Sequence, residues 1–207
     1  MIIAVDGPTA SGKGTIAKAL AAHFGVPHLD TGLLYRAVGR QVALSGGRPD
    51  DESDALAACD FPDSLLDDPS LRNEETGGLA SQVSVHTAVR DALFERQRSF
   101  AMQEGGAVLD GRDIGTVIAP EAEAKLFVTA SVEARARRRF LEMRERGTQV
   151  TLLEIADDLR RRDERDRNRD VAPLVPAHDA MVIDTSGLDR DEAIAAAIEA
   201  VEQALSA

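Results

Sequence analysis

The sequence predicts an α/β fold in three layers, α/β/α, with a parallel sheet, a small insert and a lid. Three observations predict it. Short apolar runs at 2–6, 26–30, 107–110, 124–130 and 180–184 alternate with segments of helical period. A glycine-rich stretch, "GPTASGKGT" at 7–15, joins the first run to the first helical segment. The chain has 207 residues, enough for one core with an insert. Strands alternating with helices form a parallel sheet covered on both faces.

Each element has its own signal. Ile2–Asp6 is a short buried strand. Lys13–Phe24 is a helix, with Ile16, Leu20 and Phe24 spaced by four. Val26–Asp30 is the second strand. Thr31–Leu44 is a helix that Gly46 and Gly47 stop. Residues 48–78 hold Pro49, Pro62, Pro69, Gly77, Gly78 and many acids, which predicts short helices and loops. Leu79–Glu104 reads as one helix with Val89, Leu93 and Phe100 on its apolar face. Ala107–Asp110 and Ala124–Ala130 are the next strands. Val132–Arg146 is a helix, and Gly147 can take the left-handed position after it. Thr151-Leu-Leu-Glu154 has the pattern of a capping box. Ala180–Asp184 is the last strand, and a closing helix carries Ile194, Ile198, Val201 and Leu205. The expected organisation is a single domain over 1–207, with the insert near 40–90 and the lid near 147–170.

Composition excludes several roles. A formal net charge of −12 argues against duplex nucleic acid as a partner. No apolar stretch approaches the roughly 20 residues that span a bilayer, and Met1–Val5 lacks the basic flank of a signal peptide. The single cysteine, Cys59, precludes an internal disulfide framework and fits a reducing, cytoplasmic setting. Cys59 itself is expected as a small half-buried hydrophobe. Lysine occurs only at 13, 18 and 125, whereas twelve arginines lie between Arg135 and Arg169. Arginine's planar fork suits phosphate and carboxylate. Local arginine in an acidic chain points to a small anionic ligand in a cleft.

Gly7-x-x-x-x-Gly12-Lys13 follows a strand and opens a helix, the context of a P-loop. Glycines let successive backbone N–H groups turn inward. The helix N-terminus adds unpaired donors and a positive dipole end. Gly7, Pro8, Thr9, Ala10, Ser11, Gly12, Lys13, Gly14 and Thr15 are therefore the expected contacts to ATP. Gly14 stands where a hydroxyl residue usually follows the lysine, and the hydroxyl is displaced to Thr15. Thr15, with Ser11 near it, is a candidate for phosphate or Mg²⁺-shell contact. A P-loop alone indicates only a nucleotide polyphosphate. An Asn-Lys-x-Asp stretch for guanine is absent, which argues against a switch GTPase. A non-catalytic nucleotide switch or adaptor stays the rival from another class.

Three further stretches suit an acceptor. "LDTGLLYR" sets Asp30 and Thr31 at a strand-to-helix junction, with Tyr35 and Arg36 a turn later. Thr31 can cap that helix. Arg36 lies early in it, where the dipole favours an acid over a base, so an anionic ligand is the better account. "AVLDGRD" ends a strand on Asp110-Gly111-Arg112-Asp113, and strand C-termini are where parallel sheets bind ligands. Asp110 can hold Mg²⁺ largely through water; an ordinary acidic turn has the same composition. "RRRDERDRNR" lies in 157–170, where six arginines meet six acids. A salt-bridged helix face and a mobile lid over phosphates both fit it. His23, His28, His86 and His178 read as structural or surface residues, because a phosphate oxygen needs no general base.

On these stretches the sequence resembles the bacterial cytidylate kinase family. The matching motifs are "DGPTASGKGT", "LDTGLLYR", "ASQV…VRDALFERQR", "LDGRDIGTV", "LFVTASVEARARRR" and "RRDERDRNRDVAPLVPA". The resemblance implies a P-loop core with a monophosphate-binding insert and a short lid. It implies transfer of the γ-phosphate of ATP to CMP, and to dCMP, with Mg²⁺. By position it implies that Arg36, Arg112 and Arg169 grip the acceptor's phosphate, and that Arg162 and Asp166 are lid contacts to sugar and phosphate. Lys13, Arg112, Arg162 and Arg169 are the implied catalytic charges. Ser81, Arg90 and Asp113 are the implied cytosine readers, joined in the acceptor site by Thr31 and Tyr35. Arg138 is implied near the ATP base and the lid hinge. The implied partners are small nucleotides, with neither nucleic acid nor membrane, and the expected state is a monomer. One departure is visible: 60–78 lacks an alternating strand pair, so the insert is expected to be trimmed. A kinase for another base, a sugar or a shikimate-like acceptor is the nearer rival.

Overall fold

A computed structural model describes residues 1–145 and 147–206. Among them, five strands form one parallel sheet in the order β2-β3-β1-β4-β5: β1 Ile2–Asp6, β2 His28–Asp30, β3 Ala107–Gly111, β4 Ala124–Thr129 and β5 Met181–Asp184. The central strand β1 is buried along its whole length, as a sheet covered on both faces requires. Its alternate residues serve different layers. Ile3 and Val5 pack with α1 (Lys13–Phe24) and α8 (Arg190–Leu205). Ile2 and Ala4 pack on the other side with Leu109, Ile114, Ile118 and Phe94. Every strand C-terminus therefore faces the same end of the molecule, where the loops gather.

The segment after β2 has its own small core. α2 (Thr31–Leu44) sends Leu34, Val38 and Val42 against Phe61, Leu71, Val83 and Leu93. Around them lie α3 (Glu52–Ala57), two 3-10 turns at Asp63–Asp67 and Pro69–Arg72, α4 (Glu74–Val83) and α5 (Thr87–Ala101). No strand occurs among residues 48–78, in line with the proline-rich composition. α6 (Val132–Glu145) and α7 (Leu152–Asn168) pack through Ala136, Ile155, Ala156 and Leu159. The capping box at Thr151 and Glu154 is formed in both directions, and Gly147 takes φ 75°.

Three expectations are corrected, and one turn is new. Leu79–Glu104 is divided between two helices, α4 and α5, with side-chain bonds at the break in place of helical ones. Arg90 donates to the Ser84 carbonyl at 3.4 Å, and His86 lies 3.0 Å from the Pro49 carbonyl. Thr31 does not cap α2; its hydroxyl donates instead to the Asp110 carbonyl at 2.9 Å. Ile114–Ile118 forms a π-type turn that the sequence did not announce. Leu205 is exposed, and small Ala193 and Ala197 join Val201 as the buried face of α8. Arg146, expected to end its helix, lies outside the described residues. Cys59 is half-buried, and burial pushes its thiol up to about 11, which makes it a poor nucleophile. No helix among the described residues is long and apolar enough to cross a membrane.

Candidate active site

The donor loop is built from backbone. Gly7 and Pro8 form its buried base. A Cβ on Gly7 would lie 2.0 Å from the Val128 carbonyl oxygen, so only glycine fits there. Gly12 takes φ 93°, and Ala10 takes φ 62°, a conformation that costs a non-glycine residue energy. Ser11 is fully buried and its hydroxyl has no hydrogen-bond partner. Lys13 is nearly buried and reaches back to the Pro8 carbonyl at 3.4 Å. Burial, with Arg112 nearby, lowers its ammonium to about 8. Ala10, Ser11, Gly12, Lys13, Gly14 and Thr15 line an open cleft of about 710 Å³, together with Asp30 and Arg138. Arg138 donates to Thr185 through its hydroxyl, at 3.1 Å, and its carbonyl. Thr185 in turn donates to the Ser11 carbonyl at 3.0 Å.

The second cleft is built from side chains. Thr31, Tyr35, Arg36, Ser81, Arg90, Arg112, Asp113, Arg162, Asp166 and Arg169 all line it, and so does Thr9 of the donor loop. They come from α2, α4, α5, the end of β3 and α7. Its volume is only about 90 Å³, against roughly 300–1,000 Å³ for a typical small-molecule site. The reason is mutual pairing. Arg112 donates to Asp166 at 2.8 Å and to the Thr9 hydroxyl at 2.6 Å. Arg90 pairs with Asp113, and Arg169 stands 3.6 Å from the same carboxylate. Arg165 donates to Ser81 at 2.6 Å. Arg162 pairs with Asp158 at 2.8 Å and lies 3.6 Å from Glu74, which also meets Arg139.

Positive charge is in excess at one point. Burial, with Arg139 and Arg162 beside it, pulls the Arg36 guanidinium down to about 10. Its own bonds are only to the carbonyls of Leu71 and Asn73, at 2.7 and 2.9 Å. Three crowded guanidiniums favour an anion between them. Burial, with Arg90 beside it, also lowers Arg169. Arg112 is carried above its ordinary value despite burial, because Asp166 is bonded to it.

Three residues stand otherwise than the sequence suggested: Asp110, named for Mg²⁺, Asp30, named at the acceptor junction, and Arg135, given no role. Asp110 opens onto neither cleft; His28 lies 2.7 Å from one of its oxygens and donates to it. The other oxygen is 3.6 Å from where a Gly14 Cβ would stand. The carboxylate that lines the donor cleft is Asp30, opposite Asp110 in the β2–β3 register. Burial, then Asp110, raises it. Arg135 is almost wholly buried, makes a two-point pair with Asp163 of α7 at 2.9 and 2.6 Å, and donates to the Thr9 carbonyl at 3.1 Å. It thus ties α7 to the donor loop. An arginine-rich helix gives no local sign of which arginine turns inward.

Two clefts, one lined by P-loop residues 10–15 and one by arginines together with Thr9 of the same loop, are the arrangement of a phosphotransferase with an anionic acceptor. The family model for cytidylate kinase matches residues 3–203. The chain belongs to the cytidylate kinase family. A cytidylate kinase of Xanthobacter autotrophicus is 55% identical over 98% of this chain and 97% of its own. A cytidylate kinase of Cereibacter sphaeroides is 56% identical over 97% and 94%. One from Rhodopseudomonas palustris is 53% identical over 98% and 96%. A crystal structure of an uncharacterized protein from Eubacterium ventriosum covers 98% of each chain with TM-score 0.56; at 17% identity it speaks for the fold alone. As a member of the cytidylate kinase family the chain is a nucleoside monophosphate kinase. It transfers the γ-phosphate of ATP to CMP and dCMP, forming CDP or dCDP and ADP. The rival readings as a nucleotide switch or as a kinase for a sugar or shikimate-like acceptor fall with that membership.

Proposed function

We propose that ATP lies on residues 7–15 with Arg138 near its base, and that CMP lies in the arginine-lined cleft. The observation that carries this division is the gathering of all ten acceptor residues around one cavity that Thr9 joins to the donor loop. Arg36, Arg112 and Arg169 hold the acceptor's phosphate. Arg162 and Asp166, in a lid near 147–170, reach sugar and phosphate. Ser81, Arg90 and Asp113, in and beside an insert near 40–90, read cytosine. Its 4-amino group donates to Asp113 and Ser81, and its ring acceptors take Arg90. Uracil sets an oxygen against that carboxylate.

The chemistry is positioning and charge neutralisation, with no covalent step by the protein. The acceptor's phosphate oxygen is ionised near neutral pH and attacks the γ-phosphorus in line. Lys13, Arg112, Arg162 and Arg169 spread the charge that develops. The residues present fit Mg²⁺. Ser11 offers an unpartnered buried hydroxyl, Thr15 stands at the mouth of the donor cleft, and Asp30 and Asp110 set two carboxylates behind it. Mg²⁺ is usually held by phosphate, water and one or two carboxylates. Thr15 would hold it, with Asp30 lining the cleft and Asp110, which opens onto neither cleft, reached only through water, and it would neutralise the β- and γ-phosphate oxygens. The enzyme is read as a cytoplasmic monomer acting on small nucleotides only.

A panel of acceptors with radiolabelled ATP tests the reading. Label is expected on CMP and dCMP, far less on UMP and AMP, and none on shikimate. Hydrolysis of ATP without any labelled acceptor would overturn it.

A further inference from the structure

Asp6 was given no role by its motif, yet it links the strand that leads into the donor loop to the turn that follows Arg112 and Asp113. It is the last residue of β1, it precedes Gly7, and it is only 4% exposed. Both carboxylate oxygens are used. One accepts from the Ile114 amide at 2.9 Å, the other from the Gly115 amide at 2.8 Å. These amides open the π-type turn at Ile114–Ile118, and a turn's first donors have no partner within it. Asp6 satisfies them from another strand.

The consequence lies in what is enclosed. Before the turn, Gly111 is fixed by the β1–β3 ladder, where it stands opposite Asp6 itself. After it, Ile114 and Gly115 are fixed by the Asp6 carboxylate. Only Arg112 and Asp113 lie between these anchors. On the other side of Asp6, Gly7 starts the donor loop with no room for displacement against Val128. One residue therefore sets the donor loop and the two acceptor contacts relative to each other. We propose that Asp6 is a positioning residue of phosphotransfer, a strut that holds Arg112 and Asp113 at their distance from the donor loop. This rests on Arg112 and Asp113 being acceptor contacts.

Asp6→Asn keeps the volume but turns an amine toward one of the two amides. It is expected to raise the KM for CMP about tenfold and lower kcat, with the KM for ATP within twofold of the parent. A merely structural role would reduce the fraction of active enzyme and leave both KM values alone. Gly115→Ala tests the same clasp from its far side. Its Cβ would meet the Lys125 side chain at 3.2 Å and Asp6 at 3.5 Å, nudging the turn without altering any site residue. A smaller rise in the KM for CMP, two- to fivefold, is expected, again without change for ATP. If Asp6→Asn fails to fold, Gly115→Ala decides. Arg112→Ala and Asp113→Ala are run alongside. If they raise the KM for CMP and the folded clasp variants do not, the strut is overturned. If neither alters it, the acceptor reading fails first, and the strut with it.

Discussion

The donor and acceptor clefts are made of different materials. The donor cleft, open to about 710 Å³, is floored by the consecutive loop and helix-start residues Ala10–Ile16, with Lys13 the one charged side chain among them. The acceptor cleft is drawn from five elements and contracted to about 90 Å³, and most of its arginines already hold a carboxylate or a carbonyl. A backbone cradle needs little rearrangement to bind. On the proposed division the side-chain cleft exchanges its internal partners for the ligand's phosphate, which would couple acceptor binding to opening and reclosing. Carboxylates such as Asp166 and Glu74 keep the guanidiniums paired meanwhile, avoiding the cost of buried unpaired charge.

That contrast predicts four measurable effects. The largest is at the tie between the two sides: Arg135→Ala leaves the buried Asp163 with only the more distant Arg167, 3.9 Å away, and is expected to cost about 3–5 kcal/mol of stability. Chemical denaturation with a restored partner checks it; Asp163→Ala added to Arg135→Ala should cost less than the sum of the singles. Next, Lys13→Ala removes the one side-chain charge of the cradle. A loss of about 10²–10³ in kcat is expected, the scale of a preorganised transition-state group, with the circular dichroism spectrum unchanged. Unaltered turnover would refute the cradle assignment. Third, Asp113→Ala should narrow the preference for CMP over UMP by about 1–3 kcal/mol, the scale of an unpaired buried polar group. The ratio of the two kcat/KM values reports it. The smallest effect is with pH. Lys13, lowered by burial to about 8, is charged below that pH and neutral above it. The KM for ATP should therefore rise as pH climbs from 8 to 9.5, and Lys13→Arg should flatten the rise. The acceptor side should respond later and less, since its cations are guanidiniums, the lowest of them Arg36 at about 10.

The same contrast explains what could be read from sequence. The strands, α1, α2 and the capping box at Thr151 follow from local periodicity and end signals. So does the donor loop, because its residues are contiguous and its glycines are required by geometry. The break between α4 and α5 was hidden, since it rests on Arg90 turning back to the Ser84 carbonyl and on His86 meeting Pro49 of the insert. Asp30 was visible only as a junction, and its place in the donor cleft depends on strand register with Asp110. Arg135 looked like its neighbours 137–139, and only packing against α7 and Thr9 turns it inward. Asp6 reads as the end of a strand until the turn at 114–118 exists to be held.

Tyr35 is the chain's sole tyrosine, tryptophan is absent, and the Arg90 guanidinium sits 5.6 Å from its ring centre in the acceptor cleft. On the proposed division this one tyrosine is lodged where the pyrimidine arrives, so a change in its ultraviolet emission on adding CMP would report an occupied acceptor cleft with no dye attached.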